Sequence, residues 1–370
     1  MRHLRIGIDA HAVGGRQTGN ERFIVNLITA LRAICEHDLF LYFTDRRAAA
    51  DWPAMSRTTT RVLRPANPLI RIPLSLPLRA ARDGLDVLFV QYTAPPVLQT
   101  PIVTIVHDVA FARFPELFSR KERVWMQRTI PFTMRRAAEI VTVSNFSKQE
   151  IMRVFGLPEE RITVAHNGVD PIFRRPEATA RALIASPPYF LAVGNLQPRK
   201  NLAVLIGAYL RLAAAGNRIP ERLVVVGKEV FGVDALHRQA EALRREGRIL
   251  FTGYLQDEDL VALLRHATAF AYPSVYEGFG LPPVEAMAAG VASLVSDIPV
   301  MREIVGDAAI RLPPHDELAW ASALEQVASD AGLRSDLIER GRRRAGRYTW
   351  ERSAEQVLAA LERAAGGRRP

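Results

Sequence analysis

The chain has 370 residues, 48% of them hydrophobic, and a formal net charge of +10. A chain of this length is too long for a single hydrophobic core, which predicts two domains of ordinary globular composition. Its single cysteine, Cys35, excludes internal disulfide bonds and a zinc site built from cysteines, and fits a reducing compartment.

The N-terminal stretch Met1–Ala10 has no long apolar region, so we expect no signal peptide. No run of about 18 apolar residues occurs, which predicts that no segment spans a membrane. We therefore expect a cytoplasmic protein.

The positive charge is uneven along the chain. Residues 1–185 carry 26 basic against 17 acidic residues, whereas residues 186–370 carry 23 against 22. A basic first half can attract a phosphorylated substrate, an anionic membrane surface or nucleic acid, although an arginine-rich surface explains it equally simply. The chain has few lysines, namely Lys121, Lys148, Lys200 and Lys228.

The first half begins as a strand–loop–helix unit. Arg5–Ala10 predicts a buried strand, residues 14–19 form a glycine-rich loop, and Asn20–Ile34 has helical apolar spacing. The loop contains neither a Walker sequence nor the dinucleotide pattern G-x-G-x-x-G. Further strands are predicted at Leu39–Phe43, Thr60–Leu63, Leu85–Gln91, Pro101–Val106, Ile140–Ser144 and Ile162–Ala165, and helices at Ser119–Ala138 and Lys148–Phe155.

The segment Asn67–Ala81 is rich in proline and apolar residues and contains Arg71 and Arg79, with Arg82 just beyond it. Such a segment can lie on an anionic membrane surface. It can equally be a helix that covers a sheet while its arginines extend toward water. For the helix at 148–155, Ser147 is expected to be the N-cap, with Glu150 completing a capping box.

His107 and Asp108 follow the predicted strand Pro101–Val106. The carboxyl end of a strand in an open α/β sheet faces the ligand crevice, so His107 is a candidate site residue. A single histidine can also be purely structural. Asp108 would orient the imidazole or hold the loop.

A proline- and arginine-rich stretch at residues 173–187 is interpreted as a linker, after which the alternation of strands and helices resumes. Repeated strand–helix units indicate a parallel, doubly wound sheet. The strands are predicted at Tyr189–Val193, Leu223–Val226, Ile249–Thr252, Ala267–Tyr272 and Val291–Val295, and the helices at Leu202–Ala215, Asp234–Arg245, Asp257–His266, Asp316–Ala328, Leu333–Arg347 and Glu351–Ala364.

Arg199 and Lys200 lie between a strand and a helix, where the helix N-terminus already favours phosphate. Arginine can grip phosphate oxygens with two hydrogen bonds, and lysine adds a point charge. The acidic run Asp257–Asp259 has the D-x-D form of some metal sites. We interpret it instead as an N-cap at Asp257 and acidic residues in a first helical turn.

The most informative stretch is Tyr276–Gly290, YEGFGLPPVEAMAAG, between two buried strands. Gly278 and Gly280 let the backbone approach a ligand closely, and the following helix N-terminus favours an anion. Glu277 and Glu285 bracket this phosphate site. Carboxylates accept hydrogen bonds from adjacent sugar hydroxyls, so the pattern favours a nucleotide sugar.

This pattern resembles the E-x7-E motif of retaining glycosyltransferases of family 4, the glycosyl transferases group 1, and the resemblance covers most of the chain. It implies the GT-B fold, an α/β architecture with two Rossmann-like, doubly wound domains facing a central cleft. The expected acceptor-binding domain is 1–172, the linker 173–187, the nucleotide-sugar domain 188–347, and 348–370 a crossover helix returning to the first domain, with a tail.

The resemblance also implies the roles of individual residues. The catalytic set would be Glu277, Arg199, Lys200 and His107, with the basic pair stabilising the diphosphate and His107 reaching the donor sugar. Glu285 would bind the ribose hydroxyls. The remaining donor-binding residues would be Gly194, Gly253, Tyr254, Leu255, Gly278, Phe279, Gly280 and Leu281, and the acceptor-side loop would contribute Gly15, Thr18, Gly19 and Asn20.

The predicted activity is that of a retaining hexosyltransferase that requires no metal or cofactor, because its nucleotide sugar is a substrate. The loop Gly14–Glu21 is similar to loops of bacterial enzymes that build surface polysaccharides, often mannosyltransferases, which makes GDP-mannose the leading donor. A glycan or a lipid-diphosphate-linked sugar is the expected acceptor, with an anionic membrane surface as a further partner on the inner face of the cytoplasmic membrane. The alternatives are a nucleotide-sugar epimerase or a sugar phosphorylase; a nucleic-acid partner is not expected, because no basic motif interleaved with aromatic residues occurs.

Overall fold

The structure, a computed structural model, describes residues 2–14, 19–175, 185–214, 220–229 and 234–367. The chain divides into two compact units. The first unit comprises Met1–Gly168 and Thr349–Pro370, and the second comprises Val169–Tyr348. Part of the predicted linker, residues 176–184, lies outside the described residues.

The first unit is built on a seven-stranded parallel sheet with the order β3-β2-β1-β4-β5-β6-β7. Its central strands are almost completely buried, as expected for a parallel sheet covered by helices on both faces. The strands are β1 Arg5–Asp9, β2 Asp38–Phe43, β3 Thr58–Val62, β4 Val87–Gln91, β5 Ile102–Ile105, β6 Glu139–Thr142 and β7 Ile162–Val164.

Helices α1 to α7 connect these strands. They are α1 Gly19–Ile34, α2 Arg46–Asp51, α3 Pro68–Ile70, α4 Leu76–Arg82, α5 Ala110–Arg113, α6 Arg120–Arg136 and α7 Asn145–Phe155. A π-helical turn, Arg71–Ser75, joins α3 to α4. Helices α4 and α6 cover the same face of the sheet, because Leu76 of α4 and Ile130 of α6 belong to one buried core cluster.

The second unit is built on a six-stranded parallel sheet with the order β10-β9-β8-β11-β12-β13. Its strands are β8 Tyr189–Val193, β9 Arg222–Val226, β10 Ile249–Gly253, β11 Ala269–Tyr272, β12 Ser293–Ser296 and β13 Ile310–Leu312. Its helices are α8 Leu202–Ala214, α9 Asp234–Arg245, α10 Asp257–His266, α11 Leu281–Ala289, α12 Pro299–Val305, α13 Glu317–Ser329 and α14 Ala331–Ala345.

The last helix, α15 Trp350–Gly366, belongs to the first unit. Its apolar side packs on α1 and on the sheet, and it buries Trp350, Val357 and Leu361. Arg363 of this helix pairs with Glu139 of β6, with Nε 3.1 Å from the carboxylate oxygen. The structure therefore places residues from the two ends of the sequence in one core.

Two predictions of local structure are wrong. Helix α7 begins at Asn145, and its N-cap is Ser144, whose Oγ accepts the Ser147 N–H at 3.0 Å. Ser147 is thus inside the first turn, and the predicted capping box with Glu150 does not form. Likewise Gln256, not Asp257, is the N-cap of α10, although the acidic residues do occupy its first turn as expected.

The structure corrects the expectation for one arginine of Asn67–Ala81, and leaves the membrane interpretation of the segment as a whole a prediction. Arg71 is buried, with 3% of its surface exposed, and its Nη1 donates to Asp9 at 2.7 Å, so it cannot reach a membrane surface. Arg79 pairs with Asp83, which lies just beyond the segment at the end of α4. Among the described residues, no helix is long and apolar enough to cross a bilayer.

Candidate active site

The predicted phosphate loop lies where the strand order of the second sheet reverses. Strands β8 and β11 are neighbours there, with Phe190 paired to Ala269. The segment Gly194–Asn201 follows β8, and the segment Pro273–Gly280 follows β11. Open α/β sheets bind ligands at the carboxyl ends of the two strands at such a point. The fold therefore brings both predicted loops to the edge where a ligand is expected.

Glu277 is the centre of a buried polar network at this edge. Its Oε1 accepts hydrogen bonds from Lys200 Nζ at 2.5 Å, Ser274 Oγ at 2.6 Å and the Tyr272 hydroxyl at 2.8 Å. Its Oε2 accepts from Arg199 Nη1 at 2.9 Å. The structure thus joins three of the four predicted catalytic residues through one carboxylate.

The electrostatics of the network keep Glu277 ionised. Burial raises the pKa of this carboxyl group, but the charges of Arg199 and Lys200 and the hydrogen bonds from Lys200 and Ser274 outweigh burial and lower the pKa to about 2. Burial and the Glu277 charge together raise the pKa of Tyr272 well above its usual value. Tyr272 therefore remains a neutral hydroxyl that accepts from Lys200 Nζ at 2.6 Å while donating to Glu277.

The basic pair is held by its own loop. Arg199 and Lys200 lie in a 3-10 turn that ends at Asn201, whose φ is +53°. The Asn201 amide donates to the carbonyl oxygens of Pro273 at 3.1 Å and Pro314 at 2.6 Å, which ties this loop to the end of β11. Such side-chain hydrogen bonds satisfy backbone carbonyl groups in loops, which have no partners in a helix or a sheet.

The helix after the glycine loop is α11. Gly280 is its N-cap with φ +89°, and a Cβ there would lie 2.3 Å from the Met301 methyl carbon, so only glycine fits. Pro282 and Pro283 lack an N–H, which leaves the Leu281 N–H and the preceding loop amides as the donors at this helix end. Glu285, one turn into the helix, is 3% exposed, and its charge also raises the pKa of Tyr272.

Three glycines end the neighbouring strands β8, β9 and β10. The Gly227 N–H donates to the Gly253 carbonyl at 2.9 Å, and a Cβ on Gly227 would lie 2.0 Å from the Gly194 carbonyl oxygen. Tyr254, just beyond, is 37% exposed, and Lys228 Nζ lies 4.8 Å from its ring centroid. Leu255 is half-buried.

In the first unit, His107 lies two residues beyond β5. Its ring packs edge-on against Phe23, with 4.7 Å between centroids, and lies tilted against Tyr92 at 5.5 Å. Burial lowers the pKa of His107 to about 4, so the imidazole is neutral at pH 7. Its Nε2 has no hydrogen-bond partner within the described residues. Asp108 Oδ1 accepts the Ala110 N–H at 2.9 Å, which holds the loop.

The acceptor-side loop is described only in part. Gly19 and Asn20 begin α1, whereas Gly15 and Thr18 lie outside the described residues.

Several site residues were not found from the sequence. Tyr272 and Ser274 belong to the Glu277 network, and Lys228 and Gly227 lie at the ends of the neighbouring strands. The scarcity of lysine could have indicated Lys228, and the repeated glycine after a buried strand could have indicated Gly227. Asp9, at the end of β1, is buried between Arg71 and His11, whose Nδ1 lies 3.1 Å from its carboxylate. Burial raises the pKa of Asp9, but the interactions with His11 and Arg71 outweigh burial and hold this pKa well below its usual value.

The described residues contain no group of three or more His, Cys, Asp or Glu side chains arranged to hold a metal ion. The interpretation of Asp257–Asp259 as helix-start residues agrees with their place in the first turn of α10.

Two family models match the chain. The model for glycosyl transferases group 1 matches residues 175–344, and the model for glycosyltransferase family 4 matches residues 18–173. The O-antigen chain mannosyltransferase B of Escherichia coli is 36% identical over 267 residues, 70% of this chain and 70% of that protein. The chain belongs to the family 4, group 1 glycosyltransferases.

This glycosyltransferase also has relatives that match nearly its whole length. The O-antigen chain mannosyltransferase RfbU of Salmonella typhimurium is 26% identical over 95% of this chain and 97% of that protein. Among solved structures, sucrose-phosphate synthase from Thermosynechococcus elongatus has a TM-score of 0.75 with 20% identity over 97% of this chain and 98% of that chain. WaaG, a glycosyltransferase of lipopolysaccharide biosynthesis, has a TM-score of 0.72 with 16% identity over 96% and 99% of the two chains. The predicted GT-B fold is thereby confirmed.

Proposed function

We propose that this glycosyltransferase transfers a mannosyl residue from GDP-mannose to a growing glycan or a lipid-linked sugar, with retention of anomeric configuration and without a metal ion. The observation that carries the proposal is the partly buried pair of Arg199 and Lys200 around the buried Glu277, beside the N-terminus of α11. The choice of mannose is supported by the similarity to two proteins named as O-antigen chain mannosyltransferases.

In the proposed reaction the bond between the anomeric carbon and the donor phosphate oxygen breaks. The acceptor hydroxyl oxygen forms the new bond on the same face, and its proton passes to the leaving phosphate oxygen. Negative charge grows on the diphosphate, and Arg199 and Lys200 stabilise it as fixed donors in a partly buried site. The Leu281 N–H adds a donor at the positive end of α11.

Glu277 has two tasks in this scheme. Before the donor binds, it is the counter-ion that keeps the two cations in place in a buried site, where an unpaired charge would be costly. When the donor binds, Arg199 and Lys200 donate some of their hydrogen bonds to the diphosphate instead of to Glu277. The Glu277 carboxylate can then accept hydrogen bonds from sugar hydroxyls. Glu285 binds the ribose hydroxyls, and Tyr254 borders the base.

The neutral His107 has a ring nitrogen, Nε2, that has no hydrogen-bond partner among the described residues, which suits a hydrogen bond to a sugar oxygen. This role does not require His107 to change its protonation state during turnover.

The acceptor is proposed to be reached at an anionic membrane surface through one face of the first unit. Around α3 and α4, four large apolar side chains are exposed: Leu69 at 64%, Ile70 at 42%, Leu74 at 56% and Leu78 at 57%. No acidic residue occurs from Trp52 to Arg82. On the same face of the sheet, α6 carries a cavity of about 540 Å³ lined by Trp125 and by the basic residues Arg120, Lys121 and Arg128. Exposed apolar groups and positive charge together can hold a protein reversibly on such a surface.

The donor assignment is tested by nucleotide binding. We expect GDP to raise the melting temperature more than UDP, ADP or dTDP does.

Glu285→Ala should weaken nucleoside-diphosphate binding by roughly 1.5–3 kcal/mol, the value of hydrogen bonds to a charged group. Glu285→Gln should lose less, and the exposed Glu325→Ala is the control. Unchanged affinity in a folded Glu285→Ala protein would refute the ribose assignment.

Product analysis separates transfer from the alternative GT-B reactions. An epimerase or a phosphorylase releases a sugar-nucleotide isomer or a sugar phosphate, and neither makes an acceptor product. We expect a glycoside with the donor's anomeric configuration, formed at the same rate in excess EDTA. Loss of turnover in EDTA that Mg²⁺ or Mn²⁺ restores would reopen the assignment of Asp257–Asp259.

A further inference from the structure

A cavity of about 480 Å³ in the second unit is lined by four arginines: Arg174, Arg175, Arg265 and Arg342. Its other lining residues are small or apolar, and no carboxylate contributes to it among the described residues. The cavity lies at Gly290, the C-terminal end of α11, whereas the donor loop lies at the N-terminal end. A nine-residue helix separates these ends by about 13 Å.

The simplest explanation of these arginines is that they satisfy helix ends. Arg174 Nη2 donates to the carbonyl oxygens of Ala345 at 2.9 Å and Tyr348 at 3.0 Å, and Arg265 donates to the Arg175 carbonyl. However, among the described residues the cavity borders the C-terminal ends of three α-helices, α10, α11 and α14, and of one short 3-10 helix, Pro171–Phe173. Each end carries at most about half a negative charge, so about two negative charges at most face four positive ones. A surplus of positive charge remains.

The pairing of α14 supports this conclusion. Arg340 pairs with Asp336 and Arg343 pairs with Glu339, each one turn away along the helix. The corresponding position for Arg342 is Ile338, and within the described chain no carboxylate pairs with any of the four arginines that line the cavity. Arg342 instead lies against Gly290, where its guanidinium would contact an added Cβ.

We propose that this cavity is a second anion site that binds a small molecule bearing phosphate groups, separate from the donor site. Guanidinium groups bind phosphate oxygens with paired hydrogen bonds, and several of them around one concave surface concentrate a positive potential. The volume is enough for a diphosphate with a further small group attached. Glycines and alanines on the cavity wall leave this space open.

The test uses inorganic pyrophosphate as the probe. Because pyrophosphate should also bind at Arg199 and Lys200, the titration is made in a protein that carries Arg199→Gln, Lys200→Gln and Glu277→Gln, the last so that no buried carboxylate is left without a counter-ion. In this background we expect calorimetry at low salt to show one pyrophosphate site. Adding Arg265→Gln and Arg342→Gln should weaken its affinity at least about tenfold. Arg174 is left unchanged because it holds two backbone carbonyls, those of Ala345 and Tyr348, whereas Arg265 holds only one.

The matched control is Arg343→Gln in the same background, since Arg343 neighbours Arg342 but pairs with Glu339. We expect its pyrophosphate affinity to change by less than about twofold, the effect of one distant, screened charge. Absence of binding in the background protein, or an equal loss in the control, would overturn the proposal. In the otherwise native chain, Arg265→Gln with Arg342→Gln should bind nucleoside diphosphates normally, so this test does not depend on the proposed donor site.

Discussion

At the scale of single residues, the Glu277 carboxylate depends on two neutral donors as well as on two cations. Ser274→Ala or Tyr272→Phe removes one hydrogen bond to Glu277 and leaves the basic pair in place. The loss should raise the Glu277 pKa from about 2 toward its usual range. We therefore expect the acid limb of the kcat/KM profile to move to higher pH, with kcat/KM lowered about tenfold or more.

Comparison with Ser329→Ala, an exposed serine on α13, separates this effect from general perturbation. A profile identical to that of the unchanged enzyme would show that Glu277 does not depend on these donors.

His107 gives a second prediction. The pKa of His107 in the folded chain is about 4, below the ordinary value of 6.5. Between these two pH values the unfolded chain therefore binds a proton at His107 and the folded chain does not. The stability that depends on neutral His107 is present above pH 6.5 and is lost as pH falls toward 4. Between pH 7 and pH 5 the free energy of unfolding should fall by up to about 2 kcal/mol from this group.

Urea unfolding at the two pH values measures the effect. His107→Phe should lose less stability on acidification than the unchanged protein does, while His315→Gln, at an exposed position, should behave like the unchanged protein. An equal loss in His107→Phe would contradict the prediction.

The sequence predicted part of this residue-scale arrangement. Arg199, Lys200 and Glu277 could be expected to meet because they follow strands that a doubly wound order makes neighbours. Tyr272 and Ser274 could not be chosen, because a hydroxyl at a strand end looks the same whether it binds water or a carboxylate. The pair of Asp9 and Arg71, 62 residues apart, depends on tertiary contact that no local pattern records.

At the scale of elements, the apolar face around α3 and α4 gives a prediction about membranes. Leu69→Ser, Leu74→Ser and Leu78→Ser together should reduce cosedimentation with anionic liposomes, because they remove the exposed apolar groups and leave the buried Arg71 pair intact. Leu318→Ser is the control, since Leu318 is 65% exposed on α13.

Less of the unchanged protein should sediment with zwitterionic liposomes than with anionic ones. Added salt should release it from anionic liposomes, because charge interactions are screened over about 8 Å at physiological ionic strength. Equal binding of the triple variant and the Leu318→Ser control would assign the exposed leucines no membrane role.

Most element boundaries follow from periodicity, because buried parallel strands and amphipathic helices differ strongly in apolar spacing. Helix α7 shows the limit. Ser144 and Ser147 are both suitable N-caps, and the choice between them depends on where β6 ends. The end of β6 is set by its pairing within the sheet and cannot be read from the local sequence.

At the scale of the whole molecule, α15 completes the first unit although it is the last element of the chain. A chain ending at Tyr348 lacks the buried side chains of Trp350, Val357 and Leu361. Burial of such side chains contributes about 1.5–3 kcal/mol each. We expect this truncation to destabilise the first unit severely while the second unit keeps its fold and its affinity for nucleoside diphosphates.

Calorimetry of the truncated chain should therefore show one cooperative transition, and nucleotide titration should match the full chain. Loss of nucleotide binding on truncation would show that the second unit cannot fold by itself.

The second unit is continuous in sequence, and its two ends adjoin, since the Val169 N–H donates to the Tyr348 carbonyl at 3.1 Å. The first unit, in contrast, needs residues from both ends of the chain. On the ribosome the N-terminal part of a chain usually folds first. In this chain the C-terminal unit can finish folding first. The second unit has all its residues once Tyr348 has emerged, whereas the first unit is complete only after its final helix has been made. A nascent chain halted before α15 would thus expose an unfinished sheet, and that sheet is where a chaperone would bind.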